Sequence, residues 1–155
     1  MATAAPKAPN SAPDTSAAAI AADPIAAELL AACENGDPRR VRAALNRRRM
    51  DAPTKELALR TAAELGQAGA FEEVMMDLAS PTEATLVHAF RWALRADSCR
   101  MMVAVLAADQ GRGAIADAQL RELRDLEARR PDPDRLLVFV LDRLVGPTPE
   151  AEAAA

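Results

Sequence analysis

From residue 23 onward, large apolar side chains recur every three or four positions among charged and small residues. Around Val41, Ala44 and Leu45 the intervening positions are mostly arginine, so the apolar residues share one side of a helix. The same spacing returns at residues 136–144. This period predicts a chain of amphipathic helices. No segment is predicted to form a strand.

Four dipeptides mark helix starts, because each places a capping residue directly before a proline. Asp or Ser accepts free amide hydrogens of the first turn, and proline there lacks only a donor that would have no helical partner. The third dipeptide also fits a capping box, since glutamate follows the serine by three residues. The four dipeptides are Asp23-Pro24, Asp37-Pro38, Ser80-Pro81 and Asp132-Pro133.

Further starts near Thr54 and Asp97, with breaks at glycine-rich turns such as Gly111 to Gly113, complete eight predicted helices. About two residues separate the first two helices, so the pair must fold back as an antiparallel hairpin. The predicted fold class is therefore all-α, a solenoid of about four helical hairpins over residues 23–146. Residues 1–22 and 147–155 have too few large apolar side chains to form a core, and we expect both to be disordered.

An internal repeat supports the solenoid. Residues 34–45 align without a gap over residues 67–78, which places Gly36 on Gly69. A third copy, around Asp97, follows at a shorter spacing. Because one helix pair cannot bury its own apolar faces, repeated pairs are expected to stack.

Residues 29–45 resemble the helix-turn-helix core of the ankyrin-repeat family. They contain a helical alanine, an Asn35-Gly36-Asp37 turn, and then a valine and a leucine on the second helix. Residues 69–74 are similar to the same turn and helix, and the offset from Gly36 to Gly69 equals the family's period. The family's Thr-Pro-Leu-His opening is absent from every copy. A generic helical-hairpin solenoid is therefore the alternative interpretation. The resemblance implies a scaffold that binds another protein along one face and has no catalytic residues.

Composition narrows the function further. The net charge is −4 and only 3% of residues are aromatic, so neither general affinity for nucleic acid nor a set of base-stacking platforms is expected. The two cysteines, Cys33 and Cys99, form no CxxC motif and are predicted to be reduced, packed thiols of a cytoplasmic protein. Abundant alanine, and arginine in preference to lysine, suggest a GC-rich bacterial gene.

The strongest local anomaly is a group of six arginines in the second helix and at its end. They form either a solvated face or a docking stripe for an acidic or phosphate-bearing partner protein. Phe90 and Trp92 cannot share a helix face, and Trp92 is predicted to be the partly exposed member. The candidate partner-binding residues are Arg39, Arg40, Arg42, Arg47, Arg49 and Trp92.

No residue pattern predicts a catalytic, cofactor or metal site. His88 is the only histidine and has no ligand at metal-binding spacing, and no phosphate-binding loop or HExxH motif is present. Met75-Met76 and Met101-Met102 are predicted to pack between repeats, with an adaptable partner groove as the alternative. We therefore expect a non-enzymatic adaptor or regulator without cofactor. The alternatives are an exported bacterial effector, with residues 1–22 as its export segment, or arginine-mediated binding of nucleic acid.

Overall fold

The computed structural model describes residues 19–20, 22–109 and 113–146. Most of the predicted N-terminal arm, the predicted tail and two residues of the predicted break at Gly111 to Gly113 lie outside these residues. Within them the chain is all-α, as its apolar spacing predicts. The eight helices are α1 (Pro24–Glu34), α2 (Pro38–Arg47), α3 (Ala52–Glu64), α4 (Ala68–Asp77), α5 (Glu83–Arg95), α6 (Cys99–Asp109), α7 (Asp117–Ala128) and α8 (Arg135–Val145). None of these helices is long and apolar enough to cross a bilayer.

Two of the predicted capping pairs are confirmed. The Asp23 carboxylate accepts a hydrogen bond from the amide of Ile25 at 3.0 Å. The Asp37 carboxylate accepts from the amides of Arg39 and Arg40 at 3.0 and 3.1 Å. Each aspartate has extended backbone angles and is followed by proline in the first turn, so local sequence alone fixes where α1 and α2 begin.

The other two capping predictions are wrong by two residues. Thr82, and not Ser80, caps α5, and its hydroxyl accepts from the amide of Thr85 at 3.3 Å. Asp134, and not Asp132, caps α8. In each helix the third residue after the cap, Thr85 or Leu137, is fully buried, and its amide donates to the cap. A buried amide needs an acceptor, and this requirement favours the observed cap over the one two residues earlier.

The helices form four antiparallel hairpins stacked in chain order. Within hairpins, α1 packs on α2, α3 on α4, α5 on α6 and α7 on α8. Between hairpins, α1 contacts α3 and α3 contacts α5, while α2, α4, α6 and α8 form a second column in which each contacts the next. The arrangement is that of a helical-repeat protein, in which each hairpin is covered by its neighbours.

The repeat register differs from the predicted one. Gly36, Gly66 and Asp97 have φ angles of 64°, 66° and 48° and occupy the same turn in successive hairpins, at nearly equal spacing. Gly69 instead lies inside α4, so its predicted match to Gly36 is wrong. The turn requires a residue with left-handed backbone angles. This requirement identifies the equivalent positions of successive hairpins better than the gapless alignment of residues 34–45 with residues 67–78 does. Asp97 is accordingly the turn residue and not the predicted cap of α6. The hydroxyl of Ser98 accepts from the first turn instead.

The core runs through all four hairpins. Seven residues after the cap of each second helix stands a buried apolar residue: Ala44, Val74, Val105 and Leu141. Met75, Met101 and Met102 are buried, as the packing interpretation predicts, whereas Met76 is 70% exposed. Leu45, predicted to point inward, is half-buried.

Candidate functional site

Three arginines of the predicted stripe are held by carboxylates on neighbouring elements. Arg42 donates two hydrogen bonds to Glu73 of α4, at 2.8 and 2.7 Å. Arg47 donates to Glu28 of α1 at 2.5 Å. Arg48 is bonded to Asp23, and this bond holds the pKa of the Asp23 carboxyl below its usual value. These hydrogen bonds connect α2 and its end to α1 and α4, so the three arginines contribute to the packing of the stack.

Arg39, Arg40 and Arg49 remain exposed, and none of them forms an ion pair with a residue that the structure describes. Arg39 and Arg40 stand in the first turn of α2, whereas Arg49 follows the end of that helix. The arginines of the predicted docking stripe are therefore divided into paired and unpaired residues. Arg49 lines a separate groove of about 590 Å³, beside the ion pair between Lys55 and Asp77.

The position of Arg40 in the repeat explains part of its exposure. Three residues after the cap, the second helices of the next three hairpins carry Ala70, Met101 and Leu137, which are all buried. The helices that carry these three residues each contact the second helix of the hairpin before, and no described hairpin precedes the first one. A charged residue there gives the first end of the stack a polar surface, as solenoid ends require.

Trp92 is half-buried on α5, two hairpins away from the arginines, while Phe90 belongs to the core, as predicted. The guanidinium carbon of Arg95 lies 4.9 Å from the centre of the Trp92 ring, a cation–π contact. The His88 ring lies 6.3 Å away, and His88 Nε2 is 2.9 Å from a Glu64 oxygen of α3. Trp92 is therefore half-buried, as predicted, and in contact with Arg95, and its role as an anchor for a partner stays a prediction.

A groove of about 420 Å³ between α4 and α6 corresponds to the adaptable groove considered from the methionines. Small and apolar side chains form most of its wall. It is lined by Glu72, Met75, Met76, Leu78, Ala79, Pro81, Ala104, Ala107 and Ala108. Its one carboxylate, Glu72, is bonded to Arg100. Glu73, next to it on α4, forms an ion pair with Arg42 of α2.

Among the described residues, no group of three or more His, Cys, Asp or Glu side chains is placed to hold a metal ion. Cys33 is buried, Cys99 is half-buried, and both thiols are free. Burial, and then the charge of Glu34, raises the pKa of the Cys33 thiol to about 12. Burial also raises the pKa of Cys99. Neither thiol is thus activated as a nucleophile, since activation requires a lowered pKa.

The buried Cys33 thiol predicts a loss of stability at high pH. In the unfolded chain it ionises near 9.0, so between about pH 9 and pH 12 the folded chain binds the extra proton. The free energy of unfolding should therefore fall as pH rises through this window, by up to about 1.4 kcal/mol per pH unit. Urea unfolding at a series of pH values measures this slope. Cys33→Ala should have a shallower slope, and an unchanged slope would contradict the assignment.

Three charged residues that the sequence pattern does not single out are buried: Asp109, Arg124 and Glu127. Asp109 accepts hydrogen bonds from the amides of Ala114 and Ile115, at 2.8 and 3.0 Å. Arg124 donates to the carbonyl of Gly146 at 2.5 Å, and Glu127 accepts from the amide of Asp134 at 2.8 Å. Arg124 and Glu127 connect α7 to the end and to the start of α8, and Asp109 connects α6 to the segment before α7. They lie in segments that read as helix surface, so only tertiary contacts identify them.

No family model, curated protein or solved structure matches this chain. Stacked helical hairpins support many functions, so the fold alone does not assign one. Function is therefore inferred from the surfaces described above.

Proposed function

We propose that this chain is a non-enzymatic protein-interaction module whose partner presents carboxylates to Arg39 and Arg40. The division of the α2 arginines supports this proposal. Arg42 and Arg47 are neutralised by carboxylates of adjacent helices, while Arg39 and Arg40 are exposed and their guanidinium groups form no ion pair with a described residue. A guanidinium group binds a carboxylate through two parallel hydrogen bonds, so an acidic segment of a partner protein fits this pair.

A relationship to ankyrin repeats is a finer part of the same proposal. The left-handed turn at Gly36, repeated at Gly66 and Asp97, favours it. The spacing between these turns is slightly shorter than the family's period, and the short connection between α2 and α3 is also less typical of that family. The interaction role does not depend on this relationship, because the exposed arginines carry it in either kind of solenoid.

The test uses two double variants with the same change in charge. Arg39→Gln with Arg40→Gln removes the unpaired arginines, and Arg42→Gln with Arg47→Gln removes two paired ones. We expect the first to weaken retention of an acidic partner about 30-fold, since two contacts are lost and each is worth about 1 kcal/mol. Retention is measured by quantitative mass spectrometry after crosslinked pull-down from a nuclease-treated host lysate.

The control variant should keep its partner and lose up to about 1 kcal/mol of stability, because its ion pairs are exposed. The first variant should unfold at the same temperature as the wild type. Equal loss of partner in both variants would mean nonspecific charge attraction and would contradict the proposal. Protein that is retained from an untreated lysate but not from the nuclease-treated one would favour the alternative of nucleic-acid binding.

A further inference from the structure

The last hairpin carries an apolar surface that is open to solvent. Phe139 is 60% exposed and Leu136 is 58% exposed. They stand three residues apart on α8, so both lie on one side of that helix. The opposite side of α8 holds the buried residues Leu137 and Leu141. We call the exposed Leu136 and Phe139, with the arginines that flank them, the α8 surface.

Phe139 occupies a position that faces the following hairpin in earlier repeats. Counted from the helix caps, Arg42, Glu72 and Phe139 each stand five residues into the second helix of a hairpin. Arg42 of the first hairpin bonds to Glu73 of the second, and Glu72 of the second bonds to Arg100 of the third. No described helix follows α8, so the same position is left uncovered there.

The two ends of the stack differ in chemistry. The first end carries arginine where later hairpins bury apolar residues, and this makes that end polar. The last end presents Phe139 and Leu136 instead. An apolar group at the end of a solenoid gains by being covered, and exposed apolar patches mark interaction sites. The last end is therefore the better binding surface for a helix.

Charge indicates what kind of helix would bind there. Arg135 and Arg143 are exposed, and neither forms an ion pair with a residue in the described part of the chain. Each stands four residues from Phe139, one towards either end of α8. The only acidic residue of α8 is Asp142, which is half-buried. The apolar centre is thus flanked by two unpaired positive charges.

These charges argue against a second copy of this chain as the occupant. If two α8 helices paired antiparallel about Phe139, Arg135 of one would lie opposite Arg143 of the other. A parallel pair would oppose each arginine to its own counterpart. Like charges in direct opposition destabilise an interface, so self-association is disfavoured.

We propose that the α8 surface binds an amphipathic helix of another protein whose apolar stripe is flanked by Asp and Glu residues. This proposal rests on the proposed function as an interaction module, but it uses the opposite end of the stack from Arg39 and Arg40. Leu136 and Phe139 supply the apolar contact, and Arg135 and Arg143 select carboxylates on either side. Aromatic and arginine residues together are the usual anchors of such interfaces.

The experiment measures binding of two synthetic helical peptides of about 18 residues, long enough for five turns. Both carry leucine at every third or fourth position, with glutamate on the flanks of one and lysine on the flanks of the other. Fluorescence anisotropy should show that the full chain binds the glutamate peptide at least about tenfold more tightly than the lysine peptide. Phe139→Ser should weaken binding of the glutamate peptide about 30-fold, and Arg135→Gln with Arg143→Gln should remove the preference.

Leu65→Ser is the matched control, because Leu65 is 53% exposed but lies at the turn of the second hairpin. It should leave peptide binding unchanged. Equal binding of both peptides, or binding that survives Phe139→Ser, would overturn the proposal. So would a dimer at micromolar concentration that Phe139→Ser abolishes, which would identify a second copy as the occupant. A large gain in peptide affinity on deletion of residues 147–155 would instead identify the chain's own tail.

The two proposals fail separately. Arg39→Gln with Arg40→Gln should not change peptide binding at the α8 surface. If pull-down shows no role for those arginines while the glutamate peptide still requires Phe139, the arginine site is wrong and the α8 surface stands. If the peptide does not bind but the arginine variant loses its acidic partner, the opposite holds.

Discussion

A Phe71→Ala variant is expected to lose about 3–5 kcal/mol of unfolding free energy, the usual cost of removing a buried aromatic side chain. Phe71 is fully buried in α4, and α4 contacts α1, α2, α3 and α6. Because four helices contact α4, an inward movement that fills the cavity would disturb other contacts. Urea unfolding followed by far-ultraviolet circular dichroism gives the free energy directly.

Leu45→Ala is the natural control for this measurement. Leu45 is half-buried at the edge of a groove, so truncating it removes less contact and leaves a space that water can enter. We expect a loss of about 1 kcal/mol, in line with partial burial of a leucine side chain. Equal losses in the two variants would show that the core does not run through α4.

The number and kind of helices could be predicted because the apolar period and the caps are local properties. Asp23 and Asp37 each have one capping geometry that agrees with the packing, and both were identified correctly. Ser80 and Asp132 failed because each is followed within two residues by another capping residue. Local chemistry cannot choose between two such residues, and the choice is made by which turn packs against the stack.

The repeat register failed for a related reason. Alignment by residue identity matched Gly36 to Gly69, but the backbone requires a left-handed residue at Gly66. At Asp97 the same turn is made without glycine, and the third copy predicted around this residue does coincide with the turn. Asp and Asn are the residues other than glycine that tolerate this conformation, and this preference is the signal that could have been used.

The candidate site could be predicted only in part. The sequence identifies the arginine cluster, but the carboxylates that neutralise Arg42 and Arg47 lie on other helices, far away along the chain. Which arginines stay free is therefore a property of the stack. The α8 surface was missed altogether, because its apolar period reads as an ordinary core-facing helix until the end of the stack is known.

Asp109→Ala is expected to cost about 3–6 kcal/mol, because two hydrogen bonds to a carboxylate are lost at about 1.5–3 kcal/mol each. Asp109 is 6% exposed and accepts from the amides of Ala114 and Ile115, so these donors would be left without a partner. Asp109→Asn keeps one carbonyl oxygen in place and should lose about half as much.

Because of where Asp109 lies, its substitution is expected to loosen the last hairpin more than the rest of the chain. It joins the end of α6 to the segment that leads into α7, and the last hairpin is otherwise attached to the stack mainly through α8 against α6. Hydrogen exchange should therefore accelerate at Ala114 and Ile115 and in α7 and α8 before it changes in the first two hairpins. A uniform acceleration of hydrogen exchange across the chain would contradict this role of Asp109. If the loosening is confined to the last hairpin, we also expect weaker peptide binding at the α8 surface.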